Sequence, residues 1–208
     1  MPADDAWFDS VSEARIGVVL LAAGASERYG AAKLALTIDD VPLVRRAALA
    51  AVSVSACVVV VTGADARRIA PLVDDLAVDV CFNANWRHGI GDSIACGVAR
   101  LRGIAADTHG ALIMLADQYR IGEPQLRALL HAHVQNPQAV IAASYAGTVG
   151  VPCLFPAIHL GALTRLHGAA GAQALLRENF GTLCALPMPE AAHDIDTPQD
   201  YAAALAAE

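Results

Sequence analysis

Short apolar runs, each bounded by turn-forming residues, are the feature that most constrains the fold of this sequence. Runs of this length that are apolar throughout are typical of strands buried on both faces of a sheet. The intervening stretches carry apolar residues at helical spacing, so strand and helix alternate. This alternation predicts an α/β fold with a mostly parallel sheet covered by helices on both faces. The predicted strands are 16–24, 56–63, 78–83, 111–117 and 139–145, and the predicted helices are 42–54, 64–76, 91–102, 122–135, 156–166, 170–179 and 198–207.

The length of 208 residues suits one hydrophobic core, and no change of composition marks an internal boundary. Hydrophobic residues make up 56% of the chain and aromatic residues only 5%, so the core must consist mainly of aliphatic side chains. The N-terminal segment is acidic and lacks an apolar run. We therefore expect a flexible tail over residues 1–15 and a single domain over residues 16–208.

The chain is acidic, with a formal net charge of -7 at pH 7 and no cluster of lysines and arginines. This charge argues against nucleic acid or an anionic membrane surface as a partner. No apolar run reaches membrane-spanning length without interruption. The five cysteines form neither a CxxC pair nor a metal-ligand spacing, which favours a reducing cytoplasm as the location.

A loop of small residues with two cations follows the first predicted strand, in the stretch VVLLAAGASERYGAAKLAL. Gly24 and its small neighbours allow backbone N–H groups to approach a ligand closely. Arg28 and Lys33 add positive charges that suit phosphate oxygens. Because ligands of parallel sheets bind beyond the carboxyl ends of the strands, the loop predicts a polyphosphate site. The small neighbours are Ala22, Ala23, Ala25 and Ser26.

Two familiar phosphate-binding loops do not fit this spacing. The dinucleotide fingerprint GxGxxG needs three glycines, but only Gly24 and Gly30 occur here, which argues against a nicotinamide-dependent oxidoreductase. The P-loop needs Gly-Lys-Ser/Thr in succession, whereas two alanines separate Gly30 from Lys33 and Leu34 follows the lysine. An ordinary strand-to-helix turn with two solvated cations remains the alternative interpretation.

Acidic residues follow another predicted strand and recur late in the chain. Asp117 ends the run ALIMLAD, so it is expected at the same edge of the sheet as the loop. Asp194 and Asp196 flank Ile195 and would face the same way in an extended chain. Carboxylates are the ligands that Mg²⁺ prefers, and we favour Asp117 and Asp194 as such ligands. Asp196 or Thr197 could instead cap the last helix.

Several segments carry a family resemblance. The string LAAGxSxRxGxxK is present without a gap and resembles the nucleotide loop of the nucleotidyltransferase superfamily. Further segments resemble one branch of it, the molybdenum cofactor cytidylyltransferases and their MobA-like relatives. The resemblance extends over residues 16–205. The further segments are NANWRHGIGDSIACG (83–97), LADQ (115–118), GVPCLFP (150–156), which resembles the Gly-x-Pro turn of the family, and DIDTPQDY (194–201).

The resemblance implies a three-layer α/β/α, Rossmann-like nucleotide-binding fold. It implies transfer of CMP from CTP to the terminal phosphate of molybdopterin, with Mg²⁺ as cofactor, and a molybdoenzyme or its chaperone as a protein partner. On this basis Arg28, Lys33 and Asp117 are expected to be catalytic, and Asp117 and Asp194 to bind the metal. The expected nucleotide-binding residues are Leu21, Ala22, Ala23, Gly24, Ser26, Lys33, Asn85 and Ser93.

The chain also departs from the family pattern. Residues 168–173 read GAAGAQ where the family usually reads Gly-Asp-x-Gly-Ala-Arg, so an acid and a base expected near the acceptor are absent. Tyr119 replaces the proline that usually follows the glutamine of LADQ. These departures leave three alternatives open: GTP in place of CTP, a phosphosugar or other phosphate acceptor, and a non-catalytic nucleotide- or cofactor-binding relative.

A few residues beside these segments have open roles. Ser93 and Asn85 could be helix caps rather than nucleotide ligands. Trp86 could stack on a base or fill the core. The seven histidines show no metal-binding spacing, and of these we single out only His88 and His193, because they lie next to the proposed site segments.

Overall fold

The computed structural model describes residues 15–26, 28–179 and 181–206. Of the expected flexible tail, residues 1–14 lie outside this range. The strands are β1 (Ile16–Ala22), β2 (Thr37–Ile38), β3 (Val41–Pro42), β4 (Val58–Thr62), β5 (Asp79–Phe82), β6 (Gly110–Leu115), β7 (Ile141–Tyr145), β8 (Thr148–Pro156) and β9 (Cys184–Pro187). The helices are α1 (Leu43–Val52), α2 (Ala66–Ile69), α3 (Ile90–Ile104), α4 (Glu123–Gln135), α5 (Leu160–Leu163), α6 (Gln173–Glu178) and α7 (Pro198–Ala206).

A seven-stranded sheet with the order β5-β4-β1-β6-β8-β7-β9 forms the centre of the molecule. Strand β1 pairs in parallel with β4 and β6, and β4 pairs in parallel with β5. Strand β8 is antiparallel to both of its neighbours, while β7 and β9 are parallel. The predicted α/β fold with a mostly parallel, Rossmann-like sheet is therefore confirmed.

Strand β1 shows why the sheet needs a layer of helices on each face. All seven of its residues are buried, and alternate side chains point to opposite faces of the sheet. Val18 and Leu20 pack into one apolar cluster with helices α1 and α4. Val19 and Leu21 pack into a second cluster with helix α3 and the short helices α5 and α6. The result is the three-layer arrangement that the family resemblance implied.

The region after residue 145 differs most from the sequence prediction. The segment 150–156, expected to contain a turn, belongs to strand β8 and pairs with β6 and β7. Pro152 has no N–H group to give to a ladder, and it lies where the register of β7 and β8 shifts. The long helix expected at 156–166 is replaced by a 3-10 turn and the short helix α5. Strand β9 was not predicted.

The carboxyl ends of β1, β4, β5 and β6 lie at one edge of the sheet because these strands are parallel. The small-residue loop follows β1, the NANW segment follows β5, and Asp117 follows β6. This edge therefore gathers segments that are far apart in sequence. Among the described residues, no helix has the length and apolar character needed to cross a lipid bilayer.

Candidate active site

A cavity of about 740 Å³ opens at this edge of the sheet. The small-residue loop forms one wall and the first turn of helix α3 forms another. Asp117 and the late acidic residues close the third side. Most of the predicted site residues meet here: Leu21, Ala22, Ala23, Gly24, Ser26, Arg28, Lys33, Ser93, Asp117 and Asp194 all line the cavity.

The loop after β1 is shaped by its small residues. Ser26 has a positive φ of 52°, and its carbonyl oxygen accepts hydrogen bonds from the N–H groups of Tyr29 and Gly30 at 3.0 and 2.9 Å. A Cβ atom on Gly63, at the end of β4, would lie 2.4 Å from the carbonyl oxygen of Ala23. Glycine at position 63 therefore lets the loop pass close to β4. Leaving aside the two chain neighbours of Gly24, no atom of the described residues lies within 4 Å of the position that a Cβ on this glycine would take, so the backbone there is open to a ligand.

Lys33 lies at the centre of the charged side of the cavity. Its Nζ donates hydrogen bonds of 2.7 Å to both Asp117 Oδ2 and Asp196 Oδ1, and its side chain is only 12% exposed. Burial by itself lowers the pKa of Lys33, but the charges and hydrogen bonds of the two carboxylates outweigh this effect and raise the pKa. Lys33 is thus a fixed cation at neutral pH. It is also the only lysine in the sequence.

Arg28 pairs with the second of these carboxylates. Its Nη2 lies 2.6 Å from Asp196 Oδ2, but the Arg28 side chain is 74% exposed. Asp196 thus binds both cations and does not cap the last helix. Thr197 does so instead, because Thr197 Oγ1 accepts from the N–H of Asp200 and Asp200 Oδ2 accepts from the N–H of Thr197.

The carboxylates of Asp117 and Asp194 have features that suit a metal ion. Asp117 Oδ1 is buried and has no hydrogen-bond partner among the described residues, which is costly unless a ligand satisfies it. Asp194 is exposed to solvent at one side, but desolvation by its surroundings and the nearby carboxylates of Asp196 and Asp117 raise its pKa. In the described part of the chain, no three histidines, cysteines or acids are placed to hold a metal by themselves. A cation here would therefore need further oxygen ligands, as Mg²⁺ takes from substrate phosphates.

The opposite end of the cavity carries less charge. Ser93, in the first turns of α3, is buried, and its Oγ accepts a 3.0 Å hydrogen bond from Asn83 Nδ2. Asn85 is exposed and lies outside the cavity lining, although it was expected to bind the nucleotide. Trp86 lines the cavity, and the guanidinium of Arg87 stacks over its ring at 4.2 Å.

Sequence reasoning missed some of these contributions. The resemblance left either Asn83 or Asn85 as the family's asparagine, because the sequence NAN does not show which of the two turns inwards, and the structure buries Asn83. Arg87 gave no signal beyond its place next to Trp86. His193 is exposed and outside the cavity lining, and its Nε2 lies 3.3 Å from Arg120 Nη1.

The fold and this cavity define a class of protein: an α/β protein whose glycine-containing loop, paired cations and carboxylates surround one site at the carboxyl edge of the sheet. The chain belongs to the MobA-like NTP transferase domain family, whose model matches residues 18–183. The predicted family resemblance is confirmed. Nucleotidyl transfer from an NTP is the activity that membership of this family supports.

Individual relatives show a range of roles. The chain is 30% identical over 128 residues to the purine catabolism protein PucB of Bacillus subtilis, an alignment that covers 60% of this chain and 59% of that protein. The chain thus spans about three fifths of the length of that curated relative.

Among solved structures, Rv0371c of Mycobacterium tuberculosis is 26% identical, with a TM-score of 0.74 over 92% of this chain and 97% of that one. The same protein is also known as a complex with manganese, which is 24% identical with a TM-score of 0.76 over 93% of this chain and all of the other. Molybdopterin-guanine dinucleotide biosynthesis protein A of Archaeoglobus fulgidus shares the fold at 13% identity, with a TM-score of 0.64 over 92% of this chain and 97% of that one.

Proposed function

We propose that this protein transfers CMP from CTP to the terminal phosphate of a molybdopterin-type acceptor and releases pyrophosphate. The observation that carries this proposal is the meeting of Lys33 with Asp117 and Asp196 in one cavity beside the small-residue loop. Cations suited to phosphate and carboxylates suited to a metal thus lie within one site. The preference for CTP rests on the LAAG sequence of the loop, which resembles the cytidylyl branch of the superfamily.

In this reaction an oxygen of the acceptor phosphate attacks the α-phosphorus of CTP. The new O–P bond forms as the bond between the α-phosphorus and the bridging oxygen breaks, and pyrophosphate departs with the electron pair. The acceptor is already ionised at neutral pH, so no side chain is needed as a nucleophile. Backbone N–H groups of residues 22–26 hold the triphosphate, and Arg28 and Lys33 stabilise the negative charge of the departing pyrophosphate.

Asp117 and Asp194 are the residues that would hold Mg²⁺. The unpartnered Oδ1 of Asp117 and the mutual repulsion of the carboxylates fit a bound cation. When bound, Mg²⁺ supplies positive charge that neutralises the triphosphate. The structural neighbour Rv0371c is known as a complex with manganese, which supports a divalent metal as the cofactor. Lys33 Nζ lies 2.7 Å from Asp117 Oδ2, so on this proposal the ammonium exchanges carboxylate for phosphate when the nucleotide binds.

A second candidate keeps the donor chemistry and changes the acceptor. Ala169 is exposed, and Gln173 donates from Nε2 to the carbonyl oxygen of Val149 at 3.1 Å, so neither supplies a charge for an acceptor. A phosphosugar or another phosphate compound is this second candidate. A cytoplasmic location and delivery to a molybdoenzyme or its chaperone remain predictions.

Pyrophosphate release from each of the four NTPs, measured with Mg²⁺ and with or without molybdopterin, tests the proposal. Turnover with CTP that requires molybdopterin is the expected result. Turnover that requires GTP, or CTP turnover with a phosphosugar instead, would select the alternatives. Tight nucleotide binding without turnover for any acceptor would identify a binding protein and contradict the proposal.

The single lysine provides a direct test of the nucleotide position. Protein labelled with ¹³C at the ε-carbon of lysine gives one lysine signal, that of Lys33. CTP with Mg²⁺ is expected to shift this signal, because the ammonium exchanges carboxylates for phosphate. An unchanged signal at saturating CTP would show that the triphosphate binds elsewhere.

A further inference from the structure

A turn of residues 167–171 is fastened to the first turn of helix α3 by two reciprocal hydrogen bonds. The N–H of Gly91 donates to the carbonyl oxygen of Gly168 at 2.9 Å. The N–H of Gly168 donates in return to Asp92 Oδ2 at 2.8 Å. The turn and the helix are therefore held together by a backbone contact and by one carboxylate.

The helix and the turn approach so closely that only glycine fits at positions 89 and 91. A Cβ atom on Gly89 would lie 2.5 Å from the carbonyl carbon of Gly168, and one on Gly91 would lie 2.8 Å from its oxygen. Such distances are far shorter than atoms tolerate, so a larger residue at either position would push the turn away. The two backbones thus fix the separation between turn and helix.

Asp92 completes the contact with a charge. Its side chain is only 15% exposed, and Asp92 Oδ1 lies 3.4 Å from His88 Nδ1. The hydrogen bond from the Gly168 N–H, followed by the interaction with His88, lowers the pKa of Asp92. The carboxylate is therefore ionised at neutral pH, and its bond to Gly168 is the stronger, charge-assisted kind.

The residues on both sides of Asp92 form a wall of the active-site cavity. Gly89, Ile90 and Ser93 line the cavity from the same helical turn. A Cβ atom on Gly171 would lie 2.7 Å from Ile90 Cγ2, so the fastened turn also supports Ile90 from behind. Gly89, Ile90 and Ser93 present no charged side chain to the cavity, and the neighbouring Arg87 stacks over the Trp86 ring. A base or ribose suits this wall better than a phosphate.

We propose that Asp92 is a positioning residue that fixes this wall and thereby sets how well the site discriminates between nucleotide bases. The inference rests on the proposed function, because it assumes that the cavity binds an NTP. Asp92 does not contact the nucleotide. Asp92 accepts a hydrogen bond from the Gly168 N–H and so fixes the 167–171 turn, and this turn packs against Ile90 in the wall.

Three variants and one control test this role. Asp92→Ala removes the carboxylate, and Gly91→Ala displaces the turn by steric contact from the same helix. Asp92→Asn keeps an oxygen that can accept from Gly168 and serves as the conservative rescue. Glu123→Ala is the matched control, since Glu123 is also a first-turn acid with an i,i+4 partner, Arg127, at 2.6 Å, but lies outside the cavity lining.

Dissociation constants of CTP and GTP with Mg²⁺, measured by calorimetry for the full chain, give the discrimination ratio. We expect Asp92→Ala and Gly91→Ala to reduce the wild-type ratio by at least about threefold, in keeping with the loss of one hydrogen bond, while Asp92→Asn and Glu123→Ala preserve it. A ratio that changes less than this in both variants overturns the inference, even if their melting temperatures fall. If either Asp92→Ala or Gly91→Ala does not fold, the discrimination ratio of the other variant tests the inference. Failure of the wild type to bind any NTP would instead refute the proposed function.

Discussion

The two ends of the active-site cavity are built in different ways. At the phosphate end, long side chains make ion pairs: Lys33 between Asp117 and Asp196, and Arg28 on Asp196. At the nucleoside end, backbone groups and short polar side chains make the contacts, as in the Asn83–Ser93 hydrogen bond and the fastened 167–171 turn. The first end thus depends on pairs of charged side chains, and the second on backbone contacts and neutral hydrogen bonds.

This difference separates two demands on a nucleotidyltransferase. Charge stabilisation requires groups that match the negative charge of the ligand, and in its absence they must be neutralised by each other. Recognition of a base requires a surface of fixed shape. We therefore expect substitutions at the phosphate end to reduce turnover, and substitutions at the nucleoside end to affect stability or discrimination.

The strongest test of the phosphate end is Asp117→Asn. The amide keeps the shape of the side chain but loses the charge for a cation, so turnover should fall at least about 1,000-fold. The variant should be less stable but still folded, because Lys33 loses one ion-pair partner and keeps Asp196. Steady-state pyrophosphate release and thermal unfolding measure both effects. Asp79→Asn is the control, because Asp79 pairs with Arg100 outside the cavity lining. Turnover within tenfold of the wild type would remove Asp117 from the mechanism.

Lys33→Met should reduce turnover by about 100-fold, the usual effect of losing one preorganised charge or donor in a transition-state site. The same substitution of Arg28 should cost only about tenfold, because a more exposed cation acts through water. Comparison of the two variants at saturating NTP measures this order. A larger effect at Arg28 would show that the buried lysine is structural rather than catalytic.

Asp194→Asn should have a smaller and mixed effect. Loss of one proposed metal ligand should raise the Mg²⁺ concentration for half-maximal activity by about tenfold. Because the repulsion from Asp117 and Asp196 disappears, the melting temperature should rise by about 1–2 °C. A Mg²⁺ titration and thermal unfolding test this pair of outcomes. An unchanged Mg²⁺ requirement would favour Asp196 as the second ligand.

The nucleoside end should respond in the opposite way to Asn83→Ala. This change leaves the buried Ser93 hydroxyl without its partner, so the free energy of unfolding should fall by about 1–3 kcal/mol. Turnover of the folded protein should stay within about threefold, because no charge near the phosphates is lost. Urea unfolding and activity below the transition test this expectation. A loss of turnover as large as that of Lys33→Met would mean that the two ends do not divide these roles.

The sequence predicted the strands at the centre of the sheet well. Strands β1, β4 and β6 are buried on both faces, so their sequences are apolar throughout. The ends of each apolar run therefore indicate approximately where the strand begins and ends. Strand β9 lies at an edge, is short and is only partly buried, so its sequence carries no such signal. Strand β8 contains Gly150 and Pro152, which read as a turn until pairing with β6 and β7 is known.

The location of a site residue was predictable where that residue follows the carboxyl end of a parallel strand. The small-residue loop and Asp117 follow β1 and β6 directly, and the structure places them in one cavity. The Lys33–Asp196 ion pair was not predictable, because it depends on how residue 196 returns to the sheet from a distance of 163 residues. The Asp92 contact was missed for the same reason, since its partner Gly168 lies 76 residues away.

The order in which a ribosome makes this chain bears on the Lys33 ion pairs. The carboxylates of Asp117 and Asp196 come 84 and 163 residues after the lysine. During synthesis Lys33 is therefore made before either of its acidic partners. Asp117 becomes available first, and both carboxylates are present only after residue 196 has been added. The candidate active site thus reaches its complete form late in translation, after all seven strands of the main sheet have been synthesised.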